Sequence, residues 1–192
     1  LKGLEVECQT NGSNFKNRNI MSLLDECKKV TLQISIDATH QEYEYIRYPL
    51  KWIEFEENFD FVLKNYGFNI YVGATVGIHN IDCLPDFFAW FKTKQSEFNL
   101  HDRAFGINPV YGELSFENAT EALKRVWLEK LLGVEHNWAN RARLMIEHSE
   151  SALNNTKWID YLNTIDSRRK LYWRNNLPKL ADTLKKTTYH YR

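Results

Sequence analysis

Residues 30–37 read Val30-Thr31-Leu32-Gln33-Ile34-Ser35-Ile36-Asp37, a run rich in β-branched side chains that ends in polar groups. Such a run predicts a strand, because branched side chains favour an extended backbone. Residues 4–9 alternate apolar and polar side chains and end at Thr10-Asn11-Gly12. Between these two segments, residues 20–27 repeat apolar side chains at helical spacing. The pattern predicts a strand–helix–strand unit with polar side chains where each strand ends.

The same order repeats twice more. An apolar stripe over 52–64 precedes a strand at 69–76, and a second stripe over 82–91 precedes a short strand at 104–108. Repeated strand–helix–strand units favour a parallel sheet with right-handed crossovers, because each helix must pack its apolar stripe back on the sheet. After Tyr111 the periodicity is helical, with further helices predicted near 122–131, 135–153, 158–171 and 178–186.

The predicted fold class is therefore α/β. Residues 1–114 are expected to form a partial parallel (β/α) barrel of about four strand–helix units, and residues 115–192 a helical C-terminal extension. A small open sheet is the alternative, since strand order is not legible in the sequence. The chain begins at Leu1 without a methionine, which favours a piece of a longer protein and hence the barrel.

Composition narrows the class of protein. Lys and Arg (25) balance Asp and Glu (25), which argues against a general preference for nucleic acid or membrane surfaces. No apolar run reaches the ~20 residues of a membrane span. Three widely spaced cysteines argue against a disulfide framework and for a reducing, cytoplasmic compartment. The six histidines show no metal-ligand spacing.

Four polar residues follow the first two predicted strands: Thr10, Asn11, Ser35 and Asp37. The carboxyl ends of parallel strands meet at one rim, where α/β folds bind ligands, so these side chains predict a ligand site. An ordinary structural role is the alternative. Asn11-Gly12 is a common turn dipeptide, and Thr39-His40-Gln41-Glu42 is a capping box that starts a helix.

Short motifs in this order resemble the later part of the core of radical S-adenosylmethionine enzymes of the twitch-domain type. They are Thr10-Asn11-Gly12, Ser35-Ile36-Asp37, Tyr45-Ile46-Arg47-Tyr48-Pro49 with Trp52, Asn80-Ile81 after the strand ending at Val76, Asn108-Pro109, Asp166-Ser167-Arg168-Arg169 and Leu177-Pro178. The resemblance covers most of the chain, and the order and spacing of the motifs carry its specificity.

The resemblance implies a partial barrel of six units, of which this sequence would supply units three to six and the C-terminal extension. In family members the first two units hold a Cys-x3-Cys-x2-Cys loop that ligates a 4Fe-4S cluster, and a Gly-Gly-Glu strand end that meets the methionine amino group. Neither motif occurs among these residues, and Cys8, Cys27 and Cys83 lack the required spacing. The resemblance thus implies S-adenosylmethionine and a 4Fe-4S cluster for the complete protein, with no cluster ligands and no activity in this chain alone.

By position in the resemblance, Ser35 would form a hydrogen bond with the cofactor carboxylate or ribose. Arg47 would bind the methionyl carboxylate through two parallel hydrogen bonds from its planar guanidinium. Asp37 and Asn11 would share the cofactor-facing side, while Thr10 and Asn80 would face the substrate. The alternatives are a surface ion pair of Arg47 with Glu42 or Glu44, and a helix cap at Asn80. The substrate itself stays unspecified, because rim side chains change while a barrel persists.

A second hypothesis is a non-enzymatic half-barrel that binds a protein or nucleic-acid partner. Residues 168–192 contain eight Lys or Arg against Asp182 alone, interleaved with Tyr172, Trp173, Tyr189 and Tyr191. A solvated helix face with its aromatic residues in the core is the commoner explanation, so the sequence argues against nucleic acid. An open edge at residues 4–9 predicts coverage by the missing N-terminal half or by a partner chain.

Overall fold

Four parallel strands form the sheet: β1 (Glu5–Thr10), β2 (Lys29–Ser35), β3 (Asn69–Val76) and β4 (Phe105–Pro109). A computed structural model describes residues 1–101, 103–151 and 157–188 of the chain. The strand order in the sheet is β1-β2-β3-β4. Glu7 pairs with Thr31, and Gln33 pairs with Tyr71. The predicted parallel sheet is confirmed, and its strand order follows the order of the chain.

Four helices lie between the strands in sequence: α1 (Arg18–Asp25), α2 (His40–Ile46), α3 (Trp52–Asn65) and α4 (Leu84–Phe98). Helices α1, α3 and α4 are at the predicted places. Helix α2 follows the capping motif at Thr39, yet within the described residues the Thr39 side chain makes no capping hydrogen bond.

The junction of α2 and α3 depends on a single carboxylate. Lys51 precedes α3, and Glu44 of α2 accepts a hydrogen bond from the backbone N–H of Trp52 at 3.1 Å. The second oxygen of Glu44 pairs with Lys51 Nζ at 2.8 Å. This hydrogen bond to Lys51 lowers the pKa of Glu44. Glu44 thus satisfies an orphan donor at the start of α3, which fixes where that helix begins.

The chain divides into two compact units. The first consists of Leu1–Ala74 with Ala89–Gly106, and the second of Thr75–Phe88 with Ile107–Arg192. The predicted boundary between residues 114 and 115 stays a prediction.

In the first unit, alternate strand residues supply the core. Val30, Leu32 and Ile34 of β2 are buried, as are Phe55 and Phe59 of α3. Burying each such side chain contributes about 1.5–3 kcal/mol relative to leaving it exposed. The alternating burial along β2 therefore places one side of this strand against the core.

A half-buried ion pair joins α3 to α4 in the same unit. Lys94 Nζ lies 2.6 Å from Asp60 Oδ1 and 3.4 Å from Glu56 Oε1. The Trp90 indole N–H also donates to Glu56 at 2.8 Å. These contacts lie near or beyond residue 91, where the predicted helix ended, and they explain why α4 continues to Phe98.

The second unit is mainly helical. Its further helices are α5 (Glu121–Leu132), α6 (Asn137–Glu147), α7 (Lys157–Arg169), α8 (Trp173–Asn176) and α9 (Pro178–Thr188), with short 3-10 turns at Ile81–Cys83, Gly112–Leu114 and Phe116–Asn118. Helix α6 ends before the predicted residue 153, which lies outside the described residues. Helix α7 ends at Arg169 because Lys170 takes a left-handed φ of 55°.

Asp82 is the polar centre of the second unit. Its carboxylate accepts the Trp127 indole N–H at 2.9 Å, pairs with Lys130 Nζ and lies 3.0 Å from Thr183 Oγ1. Its side chain is only 1% exposed. A buried carboxylate needs such partners, so Asp82 ties the turn before α4 to α5 and α9.

Across the described ranges, every helix is too short or too polar to span a bilayer.

Candidate functional site

An ion pair stands at the carboxyl end of β2. Asp37 lies two residues beyond the strand, and Arg47 immediately follows α2. Arg47 Nη2 lies 2.7 Å from Asp37 Oδ2, with side chains 24% and 8% exposed respectively. Arg47 therefore pairs with the strand end, whereas the sequence offered Glu42 or Glu44 as its alternative partners.

The remaining atoms of the Arg47 guanidinium keep some hydrogen-bonding capacity. In the part of the chain that the structure describes, its Nε is buried without a hydrogen-bond partner. Guanidinium carries five N–H donors in a planar fork, and one carboxylate does not use them all. The buried Asp37 carboxylate fixes the orientation of Arg47, and about a quarter of the Arg47 side chain is exposed. Arg47 therefore offers an oriented cationic hydrogen-bond donor at the rim.

Tyr43 belongs to the same neighbourhood. Its ring is fully buried, 5.3 Å from Trp52 and 5.1 Å from Phe55 between centroids, and its hydroxyl has no hydrogen-bond partner among the described residues. Burial raises the pKa of Tyr43 to about 12; the Arg47 charge opposes this rise and the Asp37 charge adds to it. Tyr43 thus stays protonated and uncharged near neutral pH.

Ser35, the last residue of β2, belongs to the polar side of the sheet. Its hydroxyl accepts a long hydrogen bond from Gln9 Nε2 at 3.4 Å, and Gln33 Nε2 donates to Glu7 Oε1 one step back along the strands. Thr31, Gln33 and Ser35 are half-buried, while the β2 residues between them are buried. We call Glu7, Gln9, Thr31, Gln33, Ser35 and Tyr71 the polar face.

Tyr71 extends the polar face towards β4. A Cβ on Gly106 would lie 1.7 Å from the Tyr71 hydroxyl oxygen, so the tyrosine occupies space that only glycine leaves free. Gln33, Tyr71 and Glu7 were not among the predicted site residues. The signal was present in the alternation of β2, where every second residue from Thr31 is polar.

Thr10 and Asn11 form a local turn. Thr10 Oγ1 accepts the Gly12 N–H at 3.1 Å, and Asn11 Oδ1 accepts the Ser13 N–H at 3.1 Å and the Ser13 hydroxyl at 2.8 Å. Gly12 has φ of 76°, as such turns favour. These oxygens already accept local hydrogen bonds, and the predicted ligand contacts of Thr10 and Asn11 stay predictions.

Asn80, the remaining predicted site residue, lies in the second unit and is fully buried. Its Oδ1 accepts the Gly77 N–H and its Nδ2 donates to the Thr75 carbonyl, both at 2.9 Å. These bonds close the turn after β3. Although Asn80 precedes the 3-10 turn, within the described residues its side chain makes no capping hydrogen bond there.

A cleft of about 500 Å³ opens at the amino-terminal ends of β2 and β3. Tyr66, Tyr71, His101 and Arg103 are among its lining residues. Ligands of α/β sheets bind at the opposite, carboxyl ends of the strands. The Asp37–Arg47 rim is therefore the stronger candidate site.

The cysteines do not form a cluster site. Cys8 and Cys27 are half-buried free thiols, and Cys83 is buried. No group of three His, Cys, Asp or Glu side chains able to hold a metal ion occurs in residues 1–101, 103–151 and 157–188. The cytoplasmic location that cysteine usage predicted stays a prediction.

Comparison with known proteins identifies no relative: no protein-family model, no curated protein and no solved structure matches the chain. The features that point to a function are therefore the Asp37–Arg47 rim, the polar face and the sequence resemblance.

Proposed function

We propose that this chain is the later part of a radical S-adenosylmethionine enzyme core, and that Ser35, Asp37 and Arg47 hold the cofactor at the carboxyl end of β2. The observation that carries the proposal is the Asp37–Arg47 pair at 2.7 Å, because it orients a cationic fork at a strand end. A carboxylate ligand such as the methionyl group suits that fork. In the complete protein the bound cofactor supplies a 5′-deoxyadenosyl radical that abstracts hydrogen from a substrate.

The strand order supports a partial barrel. Doubly wound sheets reverse their strand order at the ligand site, whereas the order here runs β1-β2-β3-β4 without reversal. Right-handed crossovers between successive neighbours place the helices on one side of the sheet, as in a (β/α) barrel. A parallel sheet is ordinarily covered on both sides, so the polar face suits a barrel interior that meets a polar substrate.

The residues of the first unit fit S-adenosylmethionine in their donor chemistry. Arg47 suits its carboxylate, and Asp37 favours its cationic groups. Among the described residues, the Ser35 hydroxyl has one long hydrogen bond, from Gln9. Asn11 is the weakest member, because its Oδ1 is taken by Ser13.

A 4Fe-4S cluster does not fit these residues. Cluster irons need closely spaced thiolates, while Cys8, Cys27 and Cys83 belong to three separate segments. The proposal therefore assigns the cluster to units that precede these residues in the family, and assigns no cofactor cleavage to this chain alone. Those units, or a partner chain, would pair with β1, which forms one edge of the sheet.

Two experiments test the proposal. The coding sequence immediately upstream of Leu1 should contain the Cys-x3-Cys-x2-Cys loop and the Gly-Gly-Glu strand end. A start codon at that point would contradict the proposal and favour a non-enzymatic binding module. Protein of this sequence, treated with iron and sulfide, should also show no cluster absorbance and should leave S-adenosylmethionine intact.

A further inference from the structure

The segment around the connection from α7 to α8 is basic and is held by hydrogen bonds to Asp166. We define the basic loop as residues 168–174, Arg168-Arg169-Lys170-Leu171-Tyr172-Trp173-Arg174, which comprise the last two residues of α7, the three-residue connection and the first two residues of α8. The backbone N–H of Trp173 donates to the buried Asp166 carboxylate, and the Leu171 N–H donates to the Asp166 carbonyl at 3.1 Å. The loop is therefore anchored at two points to the end of α7.

The buried Trp173 side chain also anchors the basic loop. Its side chain is fully buried, its indole N–H donates to Asn163 Oδ1 at 3.1 Å, and its ring meets Trp158 edge-on at 5.8 Å. The Arg174 guanidinium lies 4.3 Å from the centre of the Trp173 ring and 5.7 Å from that of Tyr172. Ring contact fixes the orientation of this cation, which reduces the entropy lost when it binds a ligand.

The basic loop carries exposed positive charge and one exposed aromatic ring. Arg168 and Lys170 are exposed, and Tyr172 is 48% exposed. Among the described residues, no acidic side chain forms an ion pair with Arg168, Lys170 or Arg174. The acidic residues of the segment 157–176 are Asp160 and the buried Asp166. The loop therefore has positive charges that its own surroundings leave uncompensated.

We infer that the basic loop binds single-stranded nucleic acid, with Arg168, Lys170 and Arg174 contacting phosphates and Tyr172 stacking on a base. Proteins that bind single-stranded nucleic acid combine cations with exposed aromatic rings. The cations neutralise the phosphates, and the unpaired bases stack on the rings. The neutral overall charge had argued against nucleic acid, but the structure concentrates charge on one ordered loop. Tyr189 and Tyr191, the other aromatic residues of the basic tail, lie outside the described residues. The inference is independent of the proposed function.

Fluorescence anisotropy of a labelled 20-nucleotide oligouridylate, titrated with the full chain at several salt concentrations, tests the inference. Three phosphate contacts predict a slope of log affinity against log salt of about −2, or roughly a 20-fold loss from 50 to 200 mM salt. The variant R168Q/K170N/R174M should flatten that slope. Asn tolerates the left-handed backbone at Lys170, and Met preserves packing on Trp173, so the variant is expected to fold, which circular dichroism verifies.

Substitutions of Tyr172 distinguish base stacking from general charge attraction. Tyr172→Ala should weaken binding about tenfold or more through lost stacking, while Tyr172→Phe should restore the affinity. The exposed pair Lys185→Gln and Lys186→Gln in α9 is the control for general charge loss and should change affinity less than twofold. The inference is overturned by absence of binding at 50 mM salt, by loop variants that bind like the wild type, or by equal affinity for polyglutamate or phosphatidylserine vesicles.

Discussion

Tyr43 illustrates how burial changes a single ionisable side chain. Its hydroxyl is removed from water and has no hydrogen-bond partner in the described part of the chain, so ionisation would leave an unsolvated phenolate. The raised pKa of about 12 follows from that burial. Because the charges of Arg47 and Asp37 also act on this hydroxyl, the pKa of Tyr43 depends in part on the candidate site.

This pKa predicts a loss of stability at alkaline pH. Below pH 10, Tyr43 is protonated in both the folded and the unfolded chain; between pH 10 and 12, only the unfolded chain releases the proton. The free energy of unfolding should therefore fall by about 1.4 kcal/mol per pH unit in that range on account of Tyr43. Urea denaturation at pH 9, 10 and 11 should show a smaller loss for Tyr43→Phe than for the wild type. The exposed control Tyr111→Phe should follow the wild type, and equal losses in all three proteins would refute the assignment.

Asp82 and Asp86 lie four residues apart and differ in exposure, so their substitutions can be compared directly. Asp82→Ala removes a buried carboxylate, so Trp127 and Thr183 lose a hydrogen-bond acceptor and Lys130 loses its ion-pair partner. We therefore expect a loss of about 2–4 kcal/mol in the free energy of unfolding. Asp86 is 58% exposed and pairs with Lys179. Asp86→Ala should cost less than about 1 kcal/mol. Chemical denaturation of both variants checks the contrast, and similar losses would mean that Asp82 is not the polar centre of the second unit.

At the scale of elements, the segment after β3 packs tightly against the segment after β4. A Cβ on Gly77 would lie 2.1 Å from Val110 Cγ1 and 2.4 Å from the Leu114 carbonyl oxygen. The Ile78 N–H donates to that same carbonyl at 2.9 Å. The contact involves backbone, so it has little freedom to relax.

Gly77→Ala should accordingly destabilise the protein by about 1–3 kcal/mol through overpacking. Gly133→Ala is the control, because a Cβ there meets no described heavy atom within 4 Å and the backbone φ is −85°. That substitution should stay within about 0.5 kcal/mol of the wild type. Thermal unfolding of the two variants measures the difference. A neutral Gly77→Ala would show that the two segments separate more easily than this packing implies.

The elements were predictable from sequence to the extent that local periodicity specifies them. Strand β3 has the predicted bounds of 69–76, because a run of strand-forming side chains is a local signal. Helix α3 begins at the predicted Trp52 and α2 follows the motif at Thr39, but the hydrogen bond from the Trp52 N–H to Glu44, eight residues back, was not legible in the sequence. The partner of Arg47 was missed for the same reason: Asp37 lies on the preceding strand end, and only tertiary structure brings it to α2.

At the scale of the whole molecule, strand order is the property that the sequence left open. Each predicted strand–helix–strand unit is compatible with several strand orders, because a helix can bury its apolar side chains equally well whichever strands are neighbours in the sheet. The observed order β1-β2-β3-β4, together with the polar face, supports the barrel proposal. The roles of Ser35, Asp37 and Arg47 in holding a cofactor stay predictions.

The most direct test of the central claim is binding of S-adenosylmethionine to this chain, measured by isothermal titration calorimetry. The wild type should bind with a dissociation constant on the order of 0.1–1 mM, because cluster contacts are missing. Arg47→Gln should weaken binding about tenfold or more through loss of a charged hydrogen bond, and Ser35→Ala should weaken it less. Lys51→Gln, which removes an exposed cation paired with Glu44 nearby, is the matched control and should bind like the wild type. Absence of heat at millimolar ligand, or equal affinity in the wild type, Arg47→Gln and Ser35→Ala, would contradict the account.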